Sequence, residues 1–375
     1  MGVEGAMKTS LPGAAEIRSA DIIERHQDAS GAYIASPNFP TYASCWLRDG
    51  SFTAYAMIRA GRPAGALRFL EWTARAILRH AGRLDALREN LSSGKGVGSS
   101  YLPTRYALDG TAVEDDWPNF QVDGYGTWLW CLDEYLSATG DAALLERLRP
   151  AVGLTLEYLQ LVWDQPNWDC WEERGDLRHP ATYACVFGGA ARMASRLAGT
   201  GEGEAWASIA SAVKARLDSL LLPEGRFPKS EGFPSVDASL IWIALPFGVL
   251  APDDPRMAST VAEIERRCLV SGGVKRYPED TYYGGGRWII LSAWLGWWYV
   301  SVGRISEAER LLEWIELTAD GEGGMPEQTT DLAVDGTYVK EWTERWGPVA
   351  KPLLWSHAMH IVLCREIAEA KAAGE

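Results

Sequence analysis

The sequence predicts an all-α protein built as an (α/α)6 barrel, six inner helices ringed by six outer ones, and three observations carry that prediction. Helical periodicity runs through nearly the whole chain, with very few convincing alternating strands. The helical segments alternate between polar amphipathic ones and ones that are apolar or small-residue nearly all round. An internal echo repeats this order: "GRPAGALRFLEW" at 61–72 matches "GRISEAERLLEW" at 303–314, and upstream "WLRDGSF" at 46 and "WIILSAW" at 288 keep the same offset.

The elements follow in order. Segment 14–27 is amphipathic and opens the outer set; 49–60 is inner and ends at Gly61. Segment 64–80 is outer and carries the echo, and 121–139 is inner and ends at Gly140. Outer segment 142–162 contains Pro150, which is expected to kink or split it. Segment 181–198 is inner and closes at Gly201, followed by outer 203–221, inner 236–247 with Gly248, and outer 255–268. Inner 288–302 ends at Gly303, outer 304–317 follows, and inner 352–369 is last. One apolar stripe covers a core from outside, whereas a helix apolar on all sides must be buried on all sides. The glycines serve as C-caps before short turns, giving αα-hairpins. An open solenoid would show the same alternation. It would not need the long Gly- and Trp-rich loops before the inner segments, so a closed ring is expected, as one catalytic domain over residues 1–375.

Composition narrows the function. The chain carries 18 tryptophans and 14 tyrosines, and an indole wants apolar cover together with a partner for its N–H. Rings in that number are expected to line a pocket. A formal charge of −14 argues against nucleic acid and against anionic membranes, both of which need a basic footprint. The stretch "MGVEGAMKTSLPGAAEIRSADIIERH" has no signal-peptide h-region, and no run approaches the ~18 apolar residues of a membrane span, so a cytoplasmic protein is expected. Six scattered cysteines without a C-x-x-C read as buried free thiols, and His357 and His360 lack an H-E-x-x-H frame, so no metal site is assigned. "SSGKGVGSS" at 92–100 lacks the first glycine and the Ser/Thr of a phosphate loop and reads as a flexible loop at the pocket edge.

The polar clusters lie just before, or at the start of, the inner segments. They are "YASCWLRDG" (42–50), "DDWPNFQVDGYG" (115–126), "WDCWEERGDLRHPATY" (168–183), "KRYPEDTYYGGGRW" (275–288), "GGMPEQTTD" (323–331) and "KPLLWSHA" (351–358). In an alternating barrel all inner helices run the same way, so these clusters should meet at one mouth. A mouth holding Glu172, Glu173, Glu327, Asp49, Asp123, Arg48 and Arg276 among aromatic rings suits a neutral, hydroxyl-rich ligand, and a sugar fits best. Two carboxyls from different helices can divide acid and base duties when their surroundings separate their pKa values, with Trp171 beside Glu172 helping to keep that acid protonated. Glycoside hydrolysis needs such a pair.

These motifs, "WLRD", "WPNFQVDGYG", "DCWEERG", "RYPEDTYYGGGRW", "MPEQ" and "PLLWSHA", resemble in order and spacing those of the glucoamylase family, glycoside hydrolase family 15, from about Tyr42 to Ala358. The resemblance implies an (α/α)6 barrel that releases β-glucose from non-reducing ends with inversion and without a cofactor. It implies Glu172 as general acid and Glu327 as general base. It further implies sugar contacts from Tyr42, Arg48, Asp49, Trp117, Glu173, Arg276 and Trp355, with Gln328 following the base; Trp46, Asp123, Trp171 and Tyr282, which stand in the same clusters, are expected to bind substrate with them. The chain departs from relatives in having room for neither an amino-terminal β-sandwich nor a starch-binding module, and in Asn119, where several relatives place an arginine. A short α-gluco-oligosaccharide is therefore the expected substrate: α-1,6 linkages such as isomaltose first, maltose-type sugars next, trehalose third. Two other classes compete. An inverting disaccharide phosphorylase would need an anion site and no general base, and Glu327 would repel phosphate; a non-catalytic sugar-binding toroid would bind without turnover.

Overall fold

The computed structural model describes residues 13–374; residues 1–12, which include the start of the amino-terminal stretch read for a signal peptide, and residue 375 lie outside the described residues. In chain order the α-helices are α1 (Ala14–Arg25), α2 (Leu47–Arg59), α3 (Pro63–Arg79), α4 (Arg83–Ser92), α5 (Asp123–Thr139), α6 (Ala142–Val162) and α7 (Pro180–Arg196). They continue with α8 (Gly201–Asp218), α9 (Pro255–Cys268), α10 (Ile289–Ser301), α11 (Ile305–Leu317), α12 (Gly336–Trp346) and α13 (Leu354–Gly374).

Contacts between these elements close a ring. Helix α2 packs on α5, α5 on α7, α7 on a 3-10 turn at Ala238–Ile243, that turn on α10, α10 on α13, and α13 back on α2. An open solenoid would leave two free ends, so the architecture is the (α/α)6 barrel. Outside the ring, α1 lies on α13, α3 on α2, α6 on α3 and α5, α8 on α7, α9 on the 3-10 turn, and α11 on α10. Burial explains the sorting. In α10 every residue from Ile289 to Tyr299 is buried, while α9 buries Met257, Thr260, Val261, Ile264 and Cys268, a stripe at helical spacing.

Three expectations are corrected. Segment 236–247 is not an α-helix; it contributes only the 3-10 turn Ala238–Ile243, and Pro246, which has no N–H to donate, stands where a longer helix would have continued. Pro150 does not split α6, which runs unbroken from Ala142 to Val162. Gly201 is the first residue of α8 rather than a cap, and Gly199 takes the left-handed conformation at that junction, φ 81°. Gly61, Gly140, Gly248 and Gly303 do have positive φ. Helices α4 and α12 were not anticipated.

Two features place the site. Phe52, Trp130, Trp242, Trp294 and Trp355 fill the barrel interior, with ring centroids 5.5 Å apart for Phe52–Trp355 and 4.7 Å for Trp242–Trp294. A small antiparallel sheet, in the spatial order Leu269–Val270, Gly273–Val274, Arg287–Trp288, Gln328–Thr329, pairs Trp288 with Gln328. That pairing ties the Glu327 loop to the start of α10. The echoed tryptophans hold equivalent posts, Trp46 as N-cap of α2 and Trp288 as N-cap of α10.

Candidate active site

The clusters before α2, α5, α7, α10 and α13 meet at one cavity of about 620 Å³. Its wall includes Tyr42, Trp46, Arg48, Asp49, Trp117, Trp171, Glu172, Glu173, Arg276, Tyr282, Glu327 and Trp355, all anticipated from sequence. Asp123 and Gln328, also expected as contacts, stand behind the wall. Asp123 is fully buried at the start of α5 and accepts from Arg48 Nη1 at 2.8 Å, so it holds the arginine. Gln328 is turned into the sheet, where its Oε1 accepts from Gly286 N at 3.0 Å. Asn119 is buried off the wall, and the 92–100 loop does not line the cavity.

The two glutamates are held by different neighbours. Glu172 Oε1 accepts from Trp46 Nε1 at 2.7 Å and from Gln121 Nε2 at 3.1 Å. Glu327 Oε1 accepts from the Tyr42 hydroxyl at 3.0 Å, and that hydroxyl is bonded to Tyr282 at 2.7 Å. Burial pushes Glu172 above its ordinary value, opposed by the Arg48 charge and by the bonds from Trp46 and Gln121. Trp171 is not among its partners: its indole N–H donates to Asp237 at 2.9 Å. Burial also pushes Glu327 up to about 8, against the Tyr42 hydroxyl and the Arg276 charge, and lifts Asp49 to about 7 against Arg48.

A buried set of charges that the sequence did not announce fixes the turn carrying Glu172. Asp169 Oδ1 accepts from the backbone N–H of Trp171 at 3.0 Å and of Glu173 at 2.9 Å, and wraps the turn around Glu172, whose φ is 67°. Lys229, 3% exposed, donates to Asp169 Oδ2 at 2.8 Å and to Asp237 Oδ2 at 2.9 Å. Glu173 accepts from Tyr277 at 2.6 Å and pairs with Arg276, which Asp280 holds from behind. Within "RFPKSEG" a single lysine reads as a solvated loop charge, so no sequence signal marked it.

Among the described residues, Glu327 Oε2 and the indole nitrogens of Trp288 and Trp355 are buried on the wall without a hydrogen-bond partner, while Arg48 Nε faces Asp49 Oδ2 only as an ion pair at 3.5 Å. Buried polar groups are ordinarily bonded, so a wall that gathers donors and acceptors in this way is built for a ligand that both gives and takes hydrogen bonds. Apolar ring faces beside them suit a pyranose. Away from the cavity, His357 and His360 both bond to Ser19 Oγ at 3.0 Å. Glu316, His360 and Cys364 bring ligand atoms within 4.8 Å of one another, and hydrogen bonding between His360 Nε2 and its neighbours Glu316 and Cys364 accounts for that grouping. The six cysteines are free and five are buried, and no helix among the described residues is long and apolar enough to cross a membrane.

Comparison with known proteins agrees with this geometry. The family model for glycosyl hydrolases family 15 matches residues 18–352. The chain is 40% identical over 352 residues to an isomaltose glucohydrolase of Kribbella flavida, spanning 92% of this chain and 90% of that protein. A glycosidase solved in complex with glucose superposes with a TM-score of 0.90 at 37% identity, covering 96% of this chain and 100% of the other. A glucoamylase from Saccharomycopsis fibuligera shares the fold at 15% identity, with a TM-score of 0.75 and 99% of each chain covered.

Proposed function

The chain belongs to glycosyl hydrolase family 15 and is a glycoside hydrolase; from that premise we propose an exo-acting, inverting α-glucosidase that releases β-glucose from the non-reducing end of short gluco-oligosaccharides. Isomaltose is the preferred substrate, ahead of maltose and then trehalose, and the isomaltose glucohydrolase similarity supports placing isomaltose first. The observation that carries the reading is the pair of glutamates on one wall beside the partnerless donors and acceptors.

In this reading Arg48 and Asp49 grip the hydroxyls of the terminal glucose, helped by Arg276 and Glu173, and Trp355 and Trp288 offer their indole N–H groups. Glu172, whose burial favours the protonated form, gives its proton to the glycosidic oxygen. Glu327 takes a proton from the attacking water in its ionised form, whose share grows as pH rises towards its raised value of about 8, and the Tyr42 hydroxyl orients its carboxylate. Ionised Glu327, the form that can act as base, disfavours phosphate as nucleophile, so water is the acceptor. The barrel acts as one catalytic domain, and its free thiols suit the cytoplasm.

Initial rates without phosphate on isomaltose, maltose and trehalose test the linkage, and a rate led by trehalose would refute the order given. Glu172→Gln and Glu327→Gln are each expected to lower kcat on isomaltose by about a hundred- to ten-thousand-fold. Full activity in either variant would remove that residue from its role.

A further inference from the structure

Helix α12 touches the core only at its end, through the partly buried Trp346. None of its residues is buried, and it is anchored chiefly at one point, the turn Tyr282–Gly284. Val334 N and Asp335 N both donate to Gly284 O, at 2.7 and 3.2 Å, and Asp335 caps the helix by accepting from Thr337 N at 2.8 Å. A Cβ on Gly284 would lie 2.6 Å from Asp335 O, so glycine permits this close seating. The helix then lays an aromatic face over the cavity. Trp342 meets Tyr282 at 5.0 Å between ring centroids. Trp346 meets Trp117 at 5.7 Å with the rings nearly parallel, 22° apart, and so joins the helix to the loop before α5. Arg345 lies over both of its neighbouring indoles at 5.1 Å, lines the cavity, and has no ion pair or hydrogen bond among the described residues. Partly exposed indoles grouped on a surface helix mark a binding face, not a fold requirement.

We propose that Trp346, Trp117 and Arg345 form the subsite for the leaving sugar, with α12 as the outer wall that restricts the enzyme to short substrates; this rests on the hydrolase reading above. The indole pair supports the apolar face of the second pyranose. Arg345, already oriented by its neighbouring rings, donates to that sugar's hydroxyls, and Asp116 on the same rim accepts from them. The terminal glucose is held deeper, by Arg48, Asp49 and Arg276, and does not depend on α12.

The test compares isomaltose with α-D-glucosyl fluoride, whose leaving group carries no sugar. In Trp346→Ala the isomaltose kcat/KM should fall about tenfold more than that of the fluoride, the scale expected for losing one aromatic contact, mostly through KM. Arg345→Ala changes one exposed side chain and should shift the same ratio in the same direction. A parallel fall for both substrates, or no fall in either variant, overturns the subsite while the hydrolase reading stands. A wild-type protein that turns over neither substrate overturns both.

Discussion

Glu172 sits in the left-handed backbone region at φ 67°, where a side chain with a Cβ is disfavoured by roughly 1–3 kcal/mol. The surroundings fix it there: Asp169 takes the two flanking backbone N–H groups, and Lys229 locks Asp169 to Asp237. The "WEE" motif pointed to the glutamate. The charges that shape its turn come from a distant segment and carry no local pattern, which is why Lys229 and Asp237 went unread. Glu327 carries a different strain, electrostatic and pH-dependent. Its folded value, about 8, lies above the ordinary 4.5, so between those values the native state keeps a proton that the unfolded chain has lost. Stability therefore falls as pH rises through that window and is unaffected below it. Glu327→Gln removes the effect. Thermal melts should find the variant equal to wild type near pH 4 and more stable near pH 7, by on the order of 3 kcal/mol. An offset that does not change with pH would show that this carboxyl is not held protonated by the fold.

At the scale of elements, legibility followed the apolar pattern. Helices α6 and α9 have the boundaries read from sequence, because a stripe at helical spacing and clear caps bound them. The run around Ile241–Trp242 misled because a short apolar stretch buried on all sides has no period to distinguish an α-helix from a tighter turn. Helix α12 was missed for the opposite reason: with nothing buried, it has no stripe to read. The crossing of α5 and α7 depends on glycine. A Cβ on Gly126 would stand 2.2 Å from Cys185 O, and one on Gly189 would stand 2.4 Å from Gly126 O. Gly126→Ala should therefore destabilise the protein by about 1–3 kcal/mol in denaturant titrations, as overpacking does. Gly153→Ala on α6, where nothing lies within 4 Å, should stabilise by about 0.5–1 kcal/mol. Equal effects at the two sites would mean that the helices do not cross as closely as described.

For the whole molecule, ring closure turns scattered motifs into one site. Parallel inner helices bring their amino-terminal ends to a single mouth, and the aromatic stack from Phe52 to Trp355 fills the interior beneath it. The weak internal echo proved informative because it preserved placement, an N-cap tryptophan before each of two inner helices, more than identity. The sequence could not reveal that Asp123 and Gln328 lie behind the wall, since depth within a motif depends on how the ring closes. The central claim is that Glu172 and Glu327 hydrolyse an α-glucoside with inversion. Its most direct test is to add the enzyme to isomaltose in phosphate-free buffer and follow the anomeric protons by NMR from the first minute. β-Glucose accumulating ahead of mutarotation is the predicted result, and α-glucose appearing first would contradict the roles given to the two carboxyls.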